Sequence, residues 1–99
     1  MNPQFSPLED TQRRTSLSAA YTVPIATGAA QVILQPLIQD IWVTLHNETP
    51  SATAGFKLTA GTMTAFDITR DTVIKVIEAS ASAELRYQSF GATHYASYP

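Results

Sequence analysis

From Gln31 to Phe90 the chain alternates apolar with polar residues at a period of two, and no gap between the alternating runs is long enough for a crossover helix. This pattern constrains the fold more than any other feature, because successive side chains on a strand point to opposite faces. In "IWVTLHN", Ile41, Val43 and Leu45 share one face, and Trp42, Thr44 and His46 share the other. "AGFKLTA" sets Phe56 and Leu58 against Lys57 and Thr59, and "TMTAFDI" follows after Gly61. "TVIKVI" is apolar on both faces apart from Lys75, while "AELRYQSF" turns Leu85 and Tyr87 inward and Glu84, Arg86 and Gln88 outward. Phe56, Leu58, Ile74, Val76, Leu85 and Tyr87 are therefore the expected core. "QVILQPLI" supplies a further strand, in which Pro36 marks an edge or a bulge because it has no N–H to give to a ladder.

The connectors "NETPSA", "AG", "TRD" and "ASAS" are short and rich in turn-forming residues, so neighbouring strands are expected to run antiparallel. Six or seven short strands at this spacing predict an all-β fold, a small antiparallel β-sandwich. Jelly-roll-like and immunoglobulin-like topologies both satisfy the pattern.

Residues 1–30 read differently. Pro3, Pro7 and Pro24 interrupt any helix, and Ser, Thr, Ala and Gln supply little that packs. A single helical turn over "PLEDTQRR" is one reading, with Pro7 at its first position and Glu9 and Asp10 near its positive end. "YTVPIA" is read as an edge strand. The expected organisation is an extended N-terminal arm over 1–30, a β-sandwich over 31–90 and a C-terminal tail over 91–99.

The chain has 99 residues, a net charge of -2 and no cysteine. One domain fits that length, and so few charges give no electrostatic case for nucleic acid or an anionic membrane surface. Disulfides and thiolate metal sites are excluded. "MNPQFSPLEDTQRR" lacks the continuous apolar run of a signal peptide, and "VILQPLI" is too short to span a bilayer, so synthesis in the cytoplasm is expected. A domain this small buries a modest share of its surface, which favours oligomerisation or docking on something larger.

Few side chains suggest chemistry. His46 and His94 are the two imidazoles, far apart in sequence and without the further ligands a zinc site needs. Asp67 and Asp71 flank Arg70 in "DITRD", where a turn between strands explains them. No serine or threonine lies in a recognisable triad context, and the glycines follow no phosphate-loop spacing. "QRRTS" reads as a solvated arm segment. The expectation is a non-enzymatic protein with no cofactor and no metal, whose work is binding. Candidate partner contacts are Phe5, Leu8, Arg13, Arg14, Leu17 and Tyr21 in the arm, Trp42 on the strand face opposite the core, and Tyr95 and Tyr98 in the tail. Tail aromatics, Phe90 included, imply a surface on which they lie down.

The stretch "IWVTLHNETPSATAGFKLTAGTMTAFDITRDTVIKVIEASASAELRYQSF" resembles the β-domain of small virion proteins of tailed bacteriophages. The resemblance covers roughly residues 38–90 and lies in "TPSATAGFKL", the glycine-led turn after it, "TVIKVI" and the closing "AELRYQ" strand. It implies a head decoration or cement protein on the capsid surface, a homo-oligomer (dimer or trimer) whose partner is the major capsid protein. It is similar also to fibre or tail attachment domains, so a fibre or tail adaptor is the alternative within the virion. A carbohydrate-binding β-sandwich using Trp42, Tyr95 and Tyr98 is the alternative outside it. The resemblance carries no functional residues over to this chain, and residues 91–99 extend past the usual closing strand.

Overall fold

The computed structural model describes residues 4–93. Among the described residues nine strands form in chain order: β1 (Gln4–Pro7), β2 (Gln12–Arg14), β3 (Tyr21–Thr22), β4 (Gln31–Leu37), β5 (Ile41–Thr44), β6 (Phe56–Leu58), β7 (Thr64–Asp67), β8 (Lys75–Glu78) and β9 (Glu84–Thr93). They make two antiparallel sheets. The first runs β1–β9–β4–β7, with β2 also on β9, and the second runs β3–β8–β5–β6. The all-β, two-sheet fold expected from the period of two is present.

The order of the strands settles the topology. β1 and β2 lie on the same edge of β9, where Pro7 pairs with Phe90 and Gln12 with Tyr87. Residues 8–11 thus stand opposite only 88 and 89, so β1 and β2 are one strand interrupted by a bulge. Counted so, eight strands remain. Every connection from β2 onward crosses between the sheets except β5 to β6, which pair directly. This is the winding of a jelly roll, not of an immunoglobulin sandwich, in which consecutive strands often share a sheet.

The core lies between the sheets. β4 sends Val32 and Leu34 inward, β9 sends Leu85 and Tyr87, β5 sends Ile41 and Val43, and β8 sends Val76, with Ile74 just before it. Pro36 sits in an interior strand, not at an edge, yet it satisfies the rule that predicted an edge. Its carbonyl accepts the Gly61 N–H at 2.6 Å, and an antiparallel residue points its N and its C=O to the same side. The absent N–H therefore faces the 59–63 connection, past the β7 ladder, which ends at Leu34–Thr64.

Four sequence readings differ from the structure. Residues 4–23 are extended but are laid into the sandwich: β1 and β2 complete the first sheet, β3 edges the second, and Leu17 and Val23 are core residues. The polar composition hid this, because two buried side chains and a backbone ladder suffice to dock a segment. "PLEDTQRR" forms strand, bulge and strand instead of a helical turn, since β9 offers a longer set of backbone partners than one turn supplies. Phe56 is 68% exposed although its register places it inward opposite Val43. β6 is a three-residue edge strand at the end of the β3–β8–β5–β6 order, and of its two inward residues only Leu58 packs against the core. The tail boundary also moves, since β9 continues to Thr93.

Four connections gather at one end of the sandwich: 15–20, 38–40, 59–63 and 79–83. Asp40 ties three of them. Its Oδ1 accepts the Ala60 N–H at 2.8 Å, its carbonyl accepts the Ala79 N–H at 2.9 Å, and Lys57 Nζ lies 3.3 Å from Oδ2. The Ala60 N–H, followed by the Lys57 ammonium, holds the Asp40 carboxyl below its ordinary range.

Candidate functional site

Alternation that fills the core from one face of the first sheet must leave the other face to solvent. That outer face carries a cluster of apolar side chains among polar ones. Register sets Ile33 of β4 opposite Ala65 of β7 and Gln88 of β9, and sets Pro7 of β1 opposite Phe90 of β9. Phe5, the next outward residue on β1, is 44% exposed, and Met63, just before β7, is 63% exposed. A shallow groove of ≈ 410 Å³ lies along this face, lined by Ile33, Met63 and Phe90 together with Gln35, Arg86 and Gln88. Aromatic, Met and Arg side chains exposed together are residue types enriched at protein-binding surfaces.

The candidate contact residues divide. Phe5 lies on this face, and Leu8 is exposed at the bulge beside it. Arg13 and Arg14 point opposite ways from β2: Arg13 Nε is 3.1 Å from Glu84 Oε2, and the Arg14 guanidinium sits 4.4 Å over the Tyr21 ring. Leu17 is fully buried and offers no contact surface, which corrects its place among the candidates. Tyr21 is half-buried, its hydroxyl 3.0 Å from that of Tyr87. Trp42 is half-buried on the outer face of the second sheet, paired with Ile77, and the Lys57 ammonium caps its ring at 5.7 Å. Tyr95, Tyr98 and His94 lie outside the described residues.

Ile33 and Met63 were not among the candidates. Their signal is a break in alternation: Ile33 is apolar at a position where "QVILQP" otherwise places glutamines. Met63 stands alone among threonines, and only the β4–β7 register brings it beside Ile33.

Glu84 was expected outward; it faces outward, yet it is covered. Arg86 Nε at 2.8 Å and Arg13 Nε at 3.1 Å both reach its Oε2 from above. The Arg86 hydrogen bond, then Arg13, hold its carboxyl below the ordinary range against the opposing effect of burial. The sign for stability follows. A lowered folded-state pKa contributes stability above the unfolded carboxylate value and loses it as pH falls through the folded one. Glu84→Gln is therefore expected to melt lower than the parent at pH 7, with the gap narrowing toward pH 3 in a pH series of melting curves. Tyr87 behaves oppositely: burial, then the Tyr21 hydroxyl, raise its phenol. Its contribution is complete below about pH 10 and declines above it.

A second concavity of ≈ 460 Å³ opens at the loop end, lined by Arg13, Ser16, Ile38, Glu78, Ser82 and Glu84. Its carboxylates are engaged within the fold, Glu84 by the two arginines and Glu78 Oε1 by the Ala83 N–H at 3.3 Å. His46 is exposed beside Val73. "DITRD" forms the expected turn, closed by Thr72 N–H to the Thr69 carbonyl at 3.1 Å. Among the described residues no three His, Cys, Asp or Glu side chains come together as a metal site. Comparison with protein-family models, curated proteins and solved structures finds no match to this chain.

Proposed function

We propose that this chain is a structural virion protein of the capsid decoration or cement type, which binds the major capsid protein shell of a tailed bacteriophage. The observation that carries the reading is the apolar cluster on the outer face of the first sheet, where Ile33, Met63 and Phe90 line one groove and Phe5 is exposed on the same face. The resemblance over residues 38–90 supplies the identity of that partner. Low charge suits attachment by apolar contact, which is little screened by salt.

Expanded capsids lacking the protein are mixed with full-length chain and its variants, and bound copies are counted at moderate ionic strength. Met63→Glu places a charge on the face without touching the core. It is expected to lower apparent affinity by roughly tenfold or more, as about 1.4 kcal/mol produces. Phe56→Ser removes an equally exposed side chain outside the face and is expected to leave occupancy unchanged. Equal binding by Met63→Glu and parent would dismiss the face. No binding by the parent would dismiss the capsid reading.

A further inference from the structure

We propose that the N-terminal strand, residues 4–14, exchanges between two copies of this chain, β1 and β2 of each pairing with β9 of the other. Side-chain burial first suggests it. From Phe5 to Arg14 only Glu9 and Gln12 are partly covered, and every other side chain is exposed. The segment is held by its ladder and by polar contacts around the bulge. Leu8 N–H donates to the Ser89 carbonyl at 3.0 Å, and Ser89 N–H to Glu9 Oε2 at 2.9 Å. Gln88 Nε2 donates to the Glu9 carbonyl at 2.7 Å, and Arg13 pairs with Glu84. Detaching the segment opens no cavity in the core, but it bares a long row of N–H and C=O groups on β9.

The hinge is the second observation. Leu17 is fully buried and its carbonyl accepts the Glu78 N–H at 2.9 Å, so the chain is fixed from there onward. Only Thr15 and Ser16 separate that anchor from β2, and Ser16 holds a φ of 63°. Left-handed backbone is unfavourable for a residue other than glycine, and opening the hinge releases it. A short strained hinge between a detachable strand and a fixed anchor favours exchange. The occupant of the bared edge is then a second copy, because its 4–14 segment repeats every contact in the same register. The proposal is independent of the capsid reading and is tested on purified protein alone.

The chain has no cysteine, so single cysteines report cleanly. Phe5 and Ala92 are directly paired across β1 and β9. Phe5→Cys and Ala92→Cys proteins are mixed at high concentration and oxidised, with Phe5→Cys plus Ser80→Cys as the collision control. One chain carrying both Phe5→Cys and Ala92→Cys is oxidised in dilute solution to confirm that the pair bridges. The expected result is a mixed disulfide dimer well above the control, and a dimer fraction that rises with concentration. Ser16→Gly is expected to lower that fraction severalfold, since glycine takes this backbone without penalty. Mixed linkage no greater than the control would overturn the proposal. So would a chain lacking residues 2–14 that dimerises as strongly as the full one.

Discussion

Leu17→Ala lowers the unfolding free energy by about 2–5 kcal/mol, the loss typical of a buried leucine truncated to alanine. The residue stands in a segment whose sequence reads as an arm, yet it has no solvent exposure and packs in the same cluster as Leu34, Ile41 and Leu85. A domain of this size loses roughly 4–8 °C of melting temperature per kcal/mol, so calorimetry resolves the change easily. Phe56→Ala supplies the contrast: at 68% exposure it is expected to stay within about 0.5 kcal/mol of the parent. A larger shift for Phe56→Ala than for Leu17→Ala would reverse the assignment of the core. The same logic separates two truncations. Removing 2–14 leaves Leu17 in place and the two-sheet core intact, whereas removing 2–20 takes a core side chain and destabilises the whole domain.

Gly55→Ala is the second large effect, expected at about 3 kcal/mol or more from a strained backbone combined with overpacking. Gly55 has a φ of 103°, and a Cβ there would press into the Val43 carbonyl oxygen and come within 2.8 Å of Thr44 Cγ2. Both neighbours belong to β5, a central strand of the second sheet, so neither yields without disturbing the ladder to β8. Gly61 isolates the backbone contribution. Its φ is 89° with nothing within 4 Å of the built Cβ, so Gly61→Ala is expected to cost only about 1–2 kcal/mol. Urea denaturation of the two variants measures the difference, and equal midpoints would show that the crowding at Gly55 relaxes away.

Much of the sandwich was legible because alternation is a local property. Val43, Ile74, Val76, Leu85 and Tyr87 were all readable from their neighbours, and each is buried. Phe56 shows the limit of the method: its parity is right and its burial wrong, since parity says which face a side chain takes but not whether anything covers it. Glu84 shows the converse, a charged side chain covered because two arginines from different strands close over it. The proposed interaction face was legible only in fragments. Phe5 was recognised as a candidate, but Ile33 and Met63 become neighbours of Phe90 through pairings of strands far apart in the chain.

The sequence by itself determined the period of two, the positions of the turns and hence an all-β sandwich, because each follows from contacts and backbone preferences within a few residues. Tertiary structure decided the jelly-roll winding, the docking of residues 4–23 and the apolar cluster on the outer face. Those depend on which strand lies beside β9 and what lies over each sheet, and such long-range pairings leave no trace in local periodicity.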